Sequence, residues 1–131
     1  MVQVLFACVH NAGRSQMAAA FFNQLADPAR AVATSAGTEP GSEVHPEVVA
    51  VMQEAGIDLS QVLPRYLTDE LARSADLLVT MGCGDACPLV PGLEVRDWPL
   101  DDPKGLPLEE VRRIRDDVKA RVVALIEEIG E

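Results

Sequence analysis

The sequence predicts an α/β protein, a three-layer sandwich in which a four-stranded parallel sheet is flanked by helices. Two observations lead there. Short apolar runs alternate along the chain with stretches of helical character, and a strand followed by a helix and another strand crosses over right-handed into a parallel pairing. The runs at 2–8 and 76–81 are also nearly continuous in apolar residues, the pattern of strands covered on both faces.

The elements follow in order. The run VQVLFAC (2–8) is the first strand, and SQMAAAFFNQLA (15–26) is a helix of good helix formers. AVATSAG (31–37) is the second strand, ending at Gly37. In GSEVHPEVVAVMQEAG, Pro46 suits the first position of a helix and Gly56 the position just past its end. TDELARSA is a shorter helix capped by Thr68. DLLVTM is the third strand and LEVRDW the fourth. A long final helix carries Leu108, Val111, Arg115, Val118, Val122, Leu125 and Ile129 on one stripe, with Glu109 and Glu110 in the first turn, where the helix dipole favours them.

With 131 residues, 48% of them hydrophobic, the chain reads as one domain (1–131) with a sizeable core. No apolar run approaches the roughly 18 residues of a membrane span, and the start MVQVLFAC lacks the features of a signal peptide. The expectation is a cytoplasmic monomer without membrane contact. A net charge of −10 argues against nucleic acid as a partner. The longest basic block, RRIR (112–115), falls in the last helical pattern and reads as a solvated face. An anionic substrate would need a local positive site.

One stretch offers such a site. In an open parallel sheet, ligands bind beyond the carboxyl ends of the strands. Cys8 ends the first strand, Cys83 follows the third, and Asp101 and Asp102 follow the fourth. Between Cys8 and Arg14 lies a short glycine-containing loop, CVHNAGR, leading into a helix. Backbone N–H groups turned inward there form a cradle for a tetrahedral oxyanion, so Val9, His10, Asn11, Ala12, Gly13, Arg14 and Ser15 are the candidate binding residues. The helix N-terminus and Arg14 favour the thiolate of Cys8, its nucleophilic form. Arg14 can grip two oxygens of the oxyanion at once. Ser15 can donate to the sulfur, and Asn11 tolerates left-handed backbone angles. His10 either orients the loop or has no catalytic duty. The opposing reading is a structural cysteine beside a surface arginine.

Three cysteines cannot all pair within one chain, and in a cytoplasmic protein they point to catalysis, redox chemistry or metal. Cys8, His10, Cys83 and Cys87 are four potential zinc ligands, but beside Cys83 and Cys87, with three residues between them, no second Cys/His pair has finger-like spacing, so no metal site and no cofactor are expected.

The segment CVHNAGRS resembles the oxyanion-binding loop of the low-molecular-weight tyrosine phosphatase fold, and CVHNAGRSQMA is similar to that of the arsenate reductases built on it. The likeness extends through SAGTEP, HPEVVAVMQEAGIDLS, DLLVTMG and WPLDDP, almost the whole chain. It implies Cys8 as nucleophile, Arg14 as oxyanion clamp and Asp102, before Pro103, as general acid. Phosphate and arsenate share shape and charge, so the loop does not separate the two activities. A phosphatase has no use for Cys83 and Cys87, whereas a reductase must supply two electrons. Family phosphatases also carry a tyrosine pair after the Asp-Pro step, where this chain reads DDPKGLP. The resemblance therefore implies reduction of arsenate, with Cys83 and Cys87 relaying a disulfide to thioredoxin. A glutaredoxin-like protein acting with a low-molecular-weight thiol such as mycothiol is the alternative reductant, and a tyrosine phosphatase the alternative enzyme. Two departures stand out. The later cysteines are closer together than in the best-known thioredoxin-coupled members, which puts a large helix-to-loop switch in doubt. Arg65 also stands near where some members hold potassium with an acidic residue, so no potassium site is expected.

Overall fold

The computed structural model describes residues 1–82 and 90–130; Cys83 and Cys87 lie outside the described residues. The expected elements are present: β1 (Val2–Cys8), α1 (Arg14–Leu25), β2 (Ala31–Gly37), α2 (Pro46–Glu54), α3 (Asp69–Arg73), β3 (Leu77–Thr80), β4 (Glu94–Asp97) and α4 (Leu108–Gly130). The four strands form one sheet in the order β2-β1-β3-β4, with all three pairings parallel.

β1 explains the layering. Successive side chains of a strand point to opposite faces. Val4, Phe6 and Cys8 enter a large core with residues of α1, α2 and α4, while Leu5 and Ala7 enter a smaller one with Leu67, Leu78 and Ala72 of α3. A run buried on both sides must be apolar throughout, which is why it does not alternate. Phe6 anchors the larger core, stacked edge-on to Phe22 with ring centroids 6.0 Å apart and tilted against Trp98 at 5.6 Å. β4 closes one edge of the sheet, and its Glu94, Arg96 and Asp97 leave a charged border that discourages pairing with another chain.

The stripe on α4 is shifted at one turn. The buried residues are Val111, Ile114, Val118, Val122 and Leu125, whereas Leu108 is exposed. Arg115 lies beside the stripe. Its guanidinium donates to Val51 O at 2.9 Å and to Glu54 at 2.9 Å, tying α4 to α2. Arg112 adds a two-pronged contact to the same carboxylate. Together they push the Glu54 carboxyl down from its usual 4.5 to about 2, with the Arg112 hydrogen bond the largest cause.

The parallel sheet brings the C-terminal ends of β1, β3 and β4 to one edge. Cys8 pairs with Gly37 there, and Thr80 pairs with Asp97. The loops leaving that edge build the site.

Candidate active site

The loop from Cys8 to Arg14 is held from outside by its own carbonyls. Cys8 O accepts from Thr38 N at 3.2 Å, Val9 O from Glu39 N at 2.8 Å, His10 O from Gly41 N at 3.0 Å and Ala12 O from His45 N at 2.9 Å. Asn11 O accepts from the Gln16 side chain at 3.1 Å, and Gly13 O from Met17 N at 3.0 Å. Six consecutive carbonyls are thus engaged away from the loop's interior. Among the described residues, no backbone acceptor takes the N–H groups of residues 9 to 13. Donors left over when every acceptor is engaged make an anion cradle.

Helix α1 extends the cradle. Its N-cap is Gly13, with no side chain to satisfy the first N–H groups, and its first turn holds no acidic residue. Contrast α3, where the Thr68 hydroxyl accepts from Leu71 N at 3.0 Å. The free N–H groups of α1 and the positive end of its dipole therefore face the loop.

Close approach fixes the loop's path. A Cβ on Gly37 would lie 2.6 Å from Val9 O and 2.8 Å from Asn11 N, so β2 must end in glycine for the loop to sit on it. Asn11 takes the left-handed turn itself, at φ 50°, and is fully buried. The Asn11 side chain donates to Ser15 Oγ at 2.7 Å and accepts from Arg65 N at 2.9 Å and from Gln16 Nε2 at 3.0 Å. Ser15 Oγ lies 2.8 Å from Cys8 Sγ. Cys8 is a buried free cysteine. His10 holds the outer wall, its Nδ1 3.0 Å from Glu39 O.

Arg14 is not a surface residue. It is 8% exposed, and its guanidinium donates to Leu100 O at 3.1 Å and lies 3.9 Å from the Asp102 carboxylate. That carboxylate is half-exposed and accepts from Lys104 N at 3.0 Å. Pro103 is buried, and a Cβ on Gly13 would meet its ring at 2.8 Å, so the segment carrying Asp102 rests on the cysteine loop. Asp101 lines a neighbouring pocket with Gly82, Asp97, Pro99 and Leu100.

Gly82, at φ 97°, reaches the Arg14 guanidinium from β3. A Cβ there would overlap Arg14 Nη1 and lie 3.2 Å from its Cζ. The structure thus gathers Cys8 and Ser15 in one cluster and Arg14 and Asp102 in another, both at the loop of residues 8–15. Three contributors were given no role of their own in the sequence. Gln16 lies there in a run of helix formers, Gly82 ends the segment DLLVTMG and Pro103 only marks the acid before it; their partners are visible only in the fold.

A family model described as low molecular weight phosphotyrosine protein phosphatase matches residues 3–131. The chain belongs to that family. A candidate arsenate reductase of Halobacterium salinarum is 45% identical over 131 residues, covering 95% of this chain and 91% of the relative. The glutaredoxin arsenate reductase of a Synechocystis strain is 40% identical over 99% of this chain and 100% of its own length. Among solved structures, the thioredoxin-dependent arsenate reductase of Corynebacterium glutamicum superposes with a TM-score of 0.85 at 40% identity. That match covers 99% of this chain, which spans 62% of the Corynebacterium chain.

Proposed function

We propose that this member of the family reduces arsenate to arsenite, with Cys8 as nucleophile and Cys83 and Cys87 as the source and outlet of the electrons. The observation that carries the reading is the contact of Gly82 with the Arg14 guanidinium. Gly82 is the residue before Cys83 in the sequence. A phosphatase has no need of a thiol at that point of the chain, while a reductase does. The similarity to arsenate reductases from three sources points the same way.

The chemistry balances as follows. Arsenate settles into the N–H cradle, with two oxygens on the Arg14 fork. The Cys8 thiolate attacks arsenic, and one oxygen leaves as water after Asp102 supplies a proton. A Cys83 thiolate then attacks the Cys8 sulfur. The sulfur–arsenic bond breaks with its electron pair passing to arsenic, so As(V) becomes As(III) and a Cys8–Cys83 disulfide remains. Cys87 attacks Cys83, frees Cys8 and leaves a Cys83–Cys87 disulfide, which an external dithiol reduces by exchange. No metal or organic cofactor enters these steps. We take the working unit to be a monomer of the single domain, acting in the cytoplasm.

The reductant is thioredoxin in this reading, because two resolving thiols carry the oxidation away from the buried Cys8. The likeness to the Synechocystis glutaredoxin arsenate reductase supports a second reading, with a glutaredoxin-like protein and a low-molecular-weight thiol. The test is steady-state arsenate reduction with thioredoxin, thioredoxin reductase and NADPH, run beside the glutaredoxin system. Turnover with thioredoxin is expected. Turnover with glutaredoxin alone selects the second reading. Arsenate turnover in neither, with hydrolysis of an aryl phosphate, would return the protein to the phosphatases.

A further inference from the structure

Gln16 has no part in the chemistry above, yet its side-chain nitrogen is engaged twice in the buried floor of the site. It is 5% exposed, and its Nε2 donates to Asn11 O at 3.1 Å and to Asn11 Oδ1 at 3.0 Å. The first bond holds the carbonyl of the one non-glycine residue with positive φ among the described residues. The second acts on the amide of the same residue.

That amide can sit only one way. Asn11 Oδ1 receives two N–H donors, from Gln16 and from the Arg65 backbone. Turning the amide over would set its NH₂ against both donors. With Oδ1 fixed, Nδ2 must be the atom facing Ser15, and it donates to Ser15 Oγ. One lone pair of Ser15 Oγ is thereby engaged, and its hydroxyl hydrogen is free to point at Cys8 Sγ, 2.8 Å away. From the two atoms alone that contact has no assigned donor. The chain of bonds behind it makes serine the donor and sulfur the acceptor, the arrangement that stabilises a thiolate.

We infer that Gln16 is a positioning residue for the proposed nucleophile: by fixing the Asn11 amide it makes the Ser15 hydroxyl donate to Cys8. The inference rests on the reading of Cys8 as nucleophile but needs neither arsenate nor a reductant to be tested. Without the Gln16 donor, one of the two bonds that orient Asn11 is gone, as is the side-chain bond to its left-handed carbonyl. The amide can then turn and present Oδ1 to Ser15, which draws the hydroxyl hydrogen away from the sulfur. Hydrogen bonds to charged groups exceed ordinary ones, so full loss of the serine donor is expected to slow thiolate reactions about tenfold near neutral pH, equivalent to about 1.4 kcal/mol.

The test is the pH dependence of iodoacetamide alkylation at Cys8, followed by mass spectrometry of the Cys8 peptide in the full chain. Ser15→Ala moves the midpoint to higher pH and lowers the rate at neutral pH about tenfold. Gln16→Met, close in length and without a donor, moves it the same way by at least about threefold. In the Ser15→Ala background Gln16→Met does nothing further, because its route to the sulfur is gone. A wild-type profile in folded Gln16→Met, or an equal shift in both backgrounds, overturns the inference. If Gln16→Met does not fold by circular dichroism, Gln16→Asn, which keeps the amide but withdraws it by one methylene, is read by the same two outcomes. Failure of wild-type protein to turn over arsenate would remove the proposed function and leave the alkylation result intact.

Discussion

Gly82→Ala is a small perturbation with two separable effects. The new methyl cannot occupy φ 97° without strain, and it overlaps the Arg14 guanidinium. Strained backbone of this kind costs about 1–3 kcal/mol. The guanidinium, held to Leu100 O at 3.1 Å and nine-tenths buried, has little room to yield. It must retreat by about an ångström to restore ordinary contact, a misplacement that costs about a hundredfold in rate when it falls on a group that positions substrate. Gly92 supplies the control. It has φ 83° with nothing within 4 Å of its would-be Cβ. Gly92→Ala therefore carries the backbone strain without the clash. Urea unfolding should show both variants less stable than the parent, with Gly82→Ala the less stable of the two because the overlap adds to the strain. Arsenate kcat/KM should fall about a hundredfold in Gly82→Ala alone. Parent-like kcat/KM in folded Gly82→Ala would refute the claim that this backbone sets the clamp, and equal losses in both variants would reduce the effect to general strain.

Cys8→Ser should abolish arsenate turnover, measured by arsenite production, since no other cysteine lies in the described loop. Asp102→Asn should slow turnover at least about a hundredfold, the scale of general acid catalysis, with Asp101→Asn nearly silent; the reverse pattern assigns the proton to Asp101. Cys87→Ser should release one arsenite per enzyme and stop with a Cys8–Cys83 disulfide, detectable by mass mapping; repeated thioredoxin-driven turnover would contradict the relay. Stability on the acid side should depend on Glu54. Its carboxyl is held at about 2 instead of 4.5, so its contribution is complete above the higher value and is lost as pH falls toward the lower. Thermal unfolding should therefore decline less between pH 4.5 and 2 in Glu54→Gln than in the parent, and 1 M salt should shrink the difference, because the pair is exposed.

What could be read from the sequence follows the range of the interactions. The cysteine loop was legible because strand end, glycine and helix start fall within a few residues, whereas the N–H groups of residues 38–45 that hold four of its carbonyls were not. The sheet was legible because burial on both faces leaves a compositional mark. The stripe on α4 was legible only to within one position. Ile114 and Arg115 each lie three or four residues from both Val111 and Val118, so the period admits either. The structure decides for Ile114 because Arg115 has partners on α2, more than sixty positions back, that draw its head group aside. Gln16 was silent for a related reason. Its partner Asn11 is five residues away, but only a left-handed turn brings that residue back over the first turn of α1.

Asp101 and Asp102 show where sequence reading ends and geometry takes over. Both carboxylates are exposed, both follow β4, and neither differs in type. The difference lies in Pro103. Its ring is buried against Gly13, at a spot where a single Cβ would not fit, so the proline is pinned to the loop that carries Cys8. A residue before proline has a restricted backbone. Pinning the proline therefore restrains Asp102 and leaves Asp101 one residue further from the anchor. The carboxylate so restrained is the one 3.9 Å from Arg14. It also remains half-exposed. The general acid of the proposed mechanism has to meet the oxyanion and then recover a proton from solvent, and these two properties favour Asp102 for that role.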